Sequence, residues 1–189
     1  MTWRSQVILR LEEWARPADA DDLALLDLCE GPTLDIGCGP GRLATALAER
    51  GHVSLGIDVV GEAVGQARGR GASALRRDVF GVLPGEGRWR TALLADGNVG
   101  IGGDPVALLR RVRALLDPRG RIVVEVGPEG TGCRTGWAAL VCEGERSRTF
   151  RWSVVGVDAI GGVAARAGLT LSGTHAHGRR HSAVLEEPR

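Results

Sequence analysis

The chain has no lysine; all 24 of its basic residues are arginine. That absence excludes a lysine Schiff base and a lysine general base. Together with the richness in alanine and glycine, it reads as codon bias. Aromatic residues are scarce, at 4%, and the net charge is only +1. Binding to nucleic acid rests on basic grooves and stacking platforms, so a nucleic-acid partner is disfavoured. Nor does the average charge predict attraction to an anionic membrane. The four cysteines, Cys29, Cys38, Cys133 and Cys142, show no C-x-x-C spacing. This argues against a zinc ribbon or redox dithiol and suits isolated thiols in a reducing cytoplasm. No apolar run approaches the ~20 residues that span a bilayer. The opening MTWRSQVILRLEEWARP carries acids where a secretion signal needs an apolar core, so none is expected. His175 and His177 alternate near His181, but no cysteine or acid pattern completes a ligand set, and no metal is expected.

What is present is an ordinary globular composition, 43% hydrophobic and 25% charged, over 189 residues. This predicts one domain, 1–189, with a substantial core. Val7, Ile8, Leu11 and Trp14 sit at helical spacing, predicting a first helix over 3–14. A second helix is expected over 21–29 with Leu23, Leu25 and Leu26 inward, so that residues 1–30 form a helical cover. Strand and helix then alternate. Strands are predicted over 32–36, 52–57, 73–77, 91–95 and 121–126, with helices over 42–50 and 62–70. A further helix opens at Asp104-Pro105, an acidic cap before proline. RRVR at 110–113 reads as its solvated side. This alternation predicts a parallel α/β sheet with helices on both faces. After Gly127 the pattern changes: strands over 136–143 and 148–155 are expected to form an insertion within 127–156. A helix over 157–167 and an antiparallel pair, 169–176 and 181–186, complete the chain.

The most informative stretch is Leu34-Asp35-Ile36-Gly37-Cys38-Gly39-Pro40-Gly41-Arg42. It is a short apolar strand ending in a glycine turn that opens a helix. Such a turn lets a ligand lie against main-chain amides at the helix N-terminus. Asp58 follows the next apolar run, where a carboxylate can accept from two ribose hydroxyls. Dinucleotide binders need G-x-G-x-x-G, whereas this loop is G-x-G-x-G, with arginine at position 42. Asp35, two residues before the first glycine, opposes a pyrophosphate and suits an ammonium or sulfonium.

This pattern resembles motif I, (E/D)xGxGxG, of the class I S-adenosylmethionine-dependent methyltransferases. The resemblance extends over nearly the whole chain. It implies a Rossmann-like, seven-stranded, mostly parallel sheet with an antiparallel C-terminal strand. It also implies S-adenosylmethionine as cofactor and S-adenosylhomocysteine as product. Asp35, Gly37, Cys38, Gly39, Gly41, Asp58 and Val59 then become cofactor-binding candidates. Asp78 and Val79, after the third strand, match positions that meet adenine. Asp96 and Asn98, after the fourth, match positions near the transferred methyl, with Asn98 facing the acceptor. The four glycines of 95–104 suggest close packing on a ligand or a loop that closes. Asp96-Gly97-Asn98-Val99 does not match the (D/N)PP(Y/F) of the amino-methylating branch, and no Pro-Cys pair offers a cytosine-type nucleophile. A small-molecule acceptor is therefore expected, and no catalytic base is assigned. The alternatives are a non-catalytic binding or interaction domain of this fold and, less favoured, an NAD-dependent oxidoreductase.

Overall fold

The computed structural model describes residues 7–10, 14–142 and 145–188. In chain order its elements are β1 Val7–Arg10, α1 Ala20–Leu26, β2 Thr33–Ile36, α2 Arg42–Glu49, β3 Ser54–Asp58, α3 Gly61–Gly69, β4 Ala74–Arg76 and β5 Trp89–Leu94. There follow α4 Pro105–Leu115, β6 Leu116–Val126, β7 Cys133–Cys142, β8 Glu145–Arg146, β9 Phe150–Val155, α5 Ile160–Arg166, β10 Thr170–His177 and β11 Arg180–Glu186.

Seven strands form the main sheet, in the order β10-β11-β6-β5-β2-β3-β4. The strands from β6 to β4 pair in parallel, and β11 is antiparallel to both neighbours. All four residues of β2 are buried, as a central parallel strand requires. Strand order reverses beside β2, so the carboxyl ends of β2 and β5 flank the crevice where open α/β sheets bind ligands. Leu34, Ile36, Leu94, Ile122 and Val124 join Leu108, Leu109 and Val112 of α4 and Ile160 and Val163 of α5 in one core. Leu25, Leu26, Leu43 and Leu47 of α1 and α2 form a second core with Leu93 and Val123.

A smaller sheet stands over this frame. Its centre is β7, which pairs antiparallel with β8 and β9 and parallel with β1. The strands expected within 127–156 are therefore present, with an added partner. That partner corrects one expectation: Val7–Arg10, expected to be helical, is strand β1. The run Val7-Ile8-Leu9 is as suited to a strand as to a helix, and the free edge of β7 decides. The rest of the helix expected over 3–14, apart from Trp14, lies outside the described residues.

Two further expectations are corrected. Leu23 is 40% exposed, while Asp22 on the same helix is fully buried. The capping box formed by Asp19 and Asp22 fixes the rotation of α1, and Asp22 is drawn inward by arginines. The arginines of RRVR are not merely solvated. Arg111 donates to the carbonyls of Val79 and Gly81 and pairs with Glu86, pinning the loop after β4. The capped start of α4 is as expected: Asp104 accepts from the Ala107 amide, and Pro105 follows.

Candidate active site

Three glycines of the β2–α2 loop have positive φ, for three different reasons. At Gly37 (φ 74°) a Cβ would lie 2.6 Å from the Asn98 amide nitrogen. At Gly41 (φ 87°) it would lie 2.6 Å from Ala67 Cβ, so this glycine lets α2 and α3 pack closely. At Gly39 (φ 52°) it would meet nothing within 4 Å. The middle glycine thus leaves an open face above the loop.

Asp58 ends β3 beside that face. Its Oδ2 accepts from the Gly39 amide at 2.9 Å and its Oδ1 from the Val60 amide at 2.8 Å. Asp78 accepts from the Phe80 amide at 2.9 Å, closing its own turn after β4. A cavity of about 360 Å³ lies between these strand ends and the small sheet. Gly37, Asp58, Val59, Asp78, Val79 and Asn98 line its floor. Its roof is apolar and largely aromatic: Leu9, Leu140, Phe150 and Trp152, with Trp14 at the side. Phe150 and Trp152 alternate along β9 and so share one face, with their rings edge to face at 5.9 Å.

A second, smaller cavity adjoins the first and shares Trp14, Gly37 and Asn98 with it. Asp35, Cys38, Gly39, Arg42 and Asp96 line it. The expected site residues therefore divide between two adjoining cavities, and Gly41 serves helix packing instead. The Cys38 side chain turns away, against Gly56 and Ala44, and burial pushes its thiol pKa up.

An ionic network braces the small cavity. Arg42 Nη2 contacts both carboxylate oxygens of Asp96 at 2.8 Å. Arg42 Nε lies 3.3 Å from Asp22, within ion-pair reach though not aligned for a hydrogen bond. Arg180, arriving from β11, contacts Asp22 at 2.5 Å and both oxygens of Glu125 at 2.7 Å. Glu125 in turn accepts from the Asp96 amide at 2.8 Å. These contacts hold Asp96 at φ 51°, a conformation that L-residues rarely adopt. Burial pushes Asp22 up, but its contacts with Arg180, the Asp19 amide and Arg42 hold its carboxyl below the usual range. Burial also raises the Asp96 carboxyl, against the pull of Arg42. Asp35 has no such partner. It is 2% exposed, its Oδ2 has no hydrogen-bond donor, and burial followed by repulsion from Asp96 pushes it up to about 7.

Asn98 donates to the carbonyls of Ile36 and Gly37 at 2.9 and 3.0 Å, tying the loop after β5 to the glycine turn. Two glycines of that loop, Gly100 and Gly103, answer to β9. A Cβ on Gly100 would overlap the Ser153 carbonyl, and one on Gly103 would lie 2.7 Å from Arg151 Cβ. Ile101 bridges to Trp152 in the same contact. These two glycines thus admit a neighbouring strand, while Ile101 and Gly102 of the same loop line the larger cavity. Sequence reasoning missed the roof residues and the network of Arg42, Arg180, Asp22 and Glu125. The alternation Phe150-x-Trp152 was the available signal for the roof; nothing local marks Arg180.

Residues 33–120 match the family model described as a methyltransferase domain. Several solved structures share the fold. A SAM-dependent methyltransferase from Bacteroides fragilis, in complex with S-adenosyl-L-homocysteine, is 20% identical with a TM-score of 0.75, covering 94% of this chain and 81% of its own. The CcbJ methyltransferase from Streptomyces caelestis is 20% identical with a TM-score of 0.68, covering 93% and 92%. The 1,6-didemethyltoxoflavin-N1-methyltransferase from Burkholderia thailandensis, with its namesake compound and S-adenosylhomocysteine bound, is 19% identical with a TM-score of 0.66, covering 94% and 80%.

Proposed function

We propose that the chain is a class I S-adenosylmethionine-dependent methyltransferase and that it methylates a small-molecule acceptor beneath the β7–β9 roof. The observation that carries this reading is the open face of Gly39 beside Asp58, at the edge of a roofed cavity. The residues present fit the cofactor. Gly39 leaves space where a side chain would stand, and the buried Asp35 oxygen has no donor from the chain.

When bound, S-adenosylmethionine supplies a methyl group already activated by its sulfonium. The chain contributes binding, orientation and exclusion of water. Asp58 takes the ribose hydroxyls on lone pairs left free by the Gly39 and Val60 amides. Val59, Asp78 and Val79 receive the adenine, and Asp35 and Asp96 face the amino-acid end. Trp14, Phe150 and Trp152 cover the acceptor and keep water from it. Asn98 holds the glycine turn in place beneath it. No side chain is assigned as a base, so the acceptor arrives in its nucleophilic form.

One observation supports a small acceptor: the roof over the cavity comes from this chain's own strands. The buried thiols Cys29 and Cys38 suit a cytoplasmic location. The test is calorimetric titration with S-adenosylmethionine, S-adenosylhomocysteine and NAD in parallel. Saturable binding of the first two, with NAD silent, is expected, followed by methyl transfer to a member of a small-molecule panel. Binding of NAD alone would overturn the reading.

A further inference from the structure

The two adjoining cavities share Trp14, Gly37 and Asn98. On the cofactor reading the nucleoside lies at Asp58 and Asp78 in the larger cavity, and the amino-acid end lies in the smaller. The sulfur joins those two ends, so the transferable methyl falls where the cavities meet, beside Asn98. That side chain is 8% exposed. Its amide nitrogen donates to the Ile36 carbonyl at 2.9 Å and the Gly37 carbonyl at 3.0 Å, which spends both protons. The opposite orientation would set the amide oxygen against two carbonyls, so the orientation is fixed. Among the described residues no hydrogen-bond donor reaches Oδ1. Asn98 therefore offers the junction a buried oxygen that can accept and cannot donate. Above it the roof is uncharged: Leu9, Leu140, Phe150 and Trp152. The charged side chains lining the larger cavity, Asp58, Arg77 and Asp78, stand at the ends of β3 and β4, on the nucleoside side.

We propose that the acceptor is an uncharged aromatic amine, and that Asn98 Oδ1 accepts a hydrogen bond from the N–H of the nitrogen that is methylated. This rests on the cofactor reading above and names the acceptor class which that reading leaves open. Asn98 calls for a hydrogen on the reacting atom, because a buried oxygen left without a donor is costly. A tertiary amine or a pyridine-type nitrogen has none. With no base beneath the roof, the reacting atom must also have a free lone pair at neutral pH. An alkyl amine is protonated there, with a pKa near ~10.4, and a phenol keeps its proton up to a pKa near ~10. A phenol would moreover have to lose the proton held by Asn98, and an amide oxygen does not take it. An arylamine is neutral at pH 7, carries the N–H and lays its ring against Phe150 and Trp152. In the transfer its lone pair forms the new N–C bond as the methyl C–S bond breaks, and the electron pair of that bond returns to sulfur. The positive charge passes from sulfur to nitrogen. The N–H on Asn98 Oδ1 then becomes a charge-assisted donor, so the contact is stronger in the transition state than in the ground state. The extra proton leaves the product nitrogen to water, and no side chain has to receive it.

The experiment offers the intact chain one ring with different reacting groups: aniline, N,N-dimethylaniline, phenol, thiophenol and benzylamine. Binding to the chain saturated with S-adenosylhomocysteine is read by ligand-observed NMR, and methyl transfer from S-adenosylmethionine by product mass. Aniline is expected to bind roughly tenfold more tightly than dimethylaniline, which has no N–H. Transfer to aniline is expected to be roughly tenfold or more faster than to the other probes, with a rate that is flat from pH 6.5 to pH 8.5. A rate that rises with pH would mark an acceptor that must first lose a proton, and would overturn the proposal. Asn98→Ala should lower transfer to aniline roughly ten- to a hundredfold at saturating cofactor, and should erase the binding preference for aniline over dimethylaniline. A purely structural Asn98 would weaken both probes alike. Equal or faster transfer to any other probe overturns the proposal and leaves the cofactor reading standing. So does a chain that binds S-adenosylhomocysteine and neither prefers nor methylates aniline. Failure to bind S-adenosylhomocysteine overturns the cofactor reading and the proposal with it. The ranking of probes on the unmodified chain decides the matter even where the variant fails to fold.

Discussion

The Gly39 amide donates to Asp58 at 2.9 Å, so the chain itself joins the glycine turn after β2 to the acid at the end of β3. One carboxylate both shapes the loop and faces the cavity beside it. The two tasks are compatible because each carboxylate oxygen has a second lone pair.

Asp58→Ala should therefore weaken cofactor binding by more than the loss of one ligand contact. The charge-assisted contact is worth roughly 1.5–3 kcal/mol, about ten- to a hundredfold in affinity. The freed Gly39 amide loosens the loop as well. Asp58→Asn keeps one acceptor oxygen and should recover part of the loss. Titration with S-adenosylhomocysteine checks both variants; unchanged binding in Asp58→Ala contradicts the ribose assignment.

Alanine at Gly39 and at Gly41 should separate binding from folding. Both positions have positive φ, which costs an L-residue about 1–2 kcal/mol. At Gly41 the new methyl also presses on Ala67, and such overpacking costs typically about 1–3 kcal/mol more. At Gly39 the methyl meets no protein atom and points into space assigned to the ligand. Gly41→Ala should lose more stability in denaturant yet bind cofactor while folded. Gly39→Ala should lose less stability and most of its binding. The reverse ranking would refute the division of labour between the two glycines.

The glycine turn, the place of Asp58 after its strand and most elements of the main sheet were legible because local rules fix them. A strand period, a glycine turn and a capped helix each leave a mark within a few residues. Asp104-Pro105 opened α4 for that reason. What escaped depends on distant partners. Val7–Arg10 became a strand because β7, more than a hundred residues later, has a free edge. Arg180 meets Asp22 across 158 positions, and no local pattern announces that contact. Gly100 and Gly103 looked like ligand-facing glycines because a bound molecule and a crossing strand demand the same missing side chain. Asp22 was hidden by its type, since a charged residue is rarely buried unless paired.

Gly100→Ala should detach the roof. Its Cβ overlaps the Ser153 carbonyl, so β9 must move away, and Trp152 with it. Backbone cannot yield as a flexible side chain does, and a loss above about 3 kcal/mol is expected. Gly97 in the same loop has φ 77° and open space at its Cβ. Gly97→Ala should cost only the conformational penalty, about 1–2 kcal/mol. Denaturant unfolding of the pair gives the comparison, and equal losses would show that β9 does not lean on the loop.

Asp35→Asn should stabilise the free chain, and more so as pH rises. The folded-state pKa of Asp35 is raised from 3.8 to about 7. Between those values the folded chain holds a proton that the unfolded chain has released. Linkage then makes stability fall with rising pH across that window, by at most about 1.4 kcal/mol per pH unit, and level off above it. Asparagine is neutral throughout and escapes this fall. Folded stability of variant and parent should therefore diverge in favour of asparagine from pH 5 to pH 7, then run parallel to pH 8. Unfolding curves at each pH in the absence of ligand measure the gap, and a constant gap would mean that Asp35 is ionised in the free protein. A widening gap, paired with weaker S-adenosylhomocysteine binding by the same variant, would mark Asp35 as a residue retained for binding at the expense of stability.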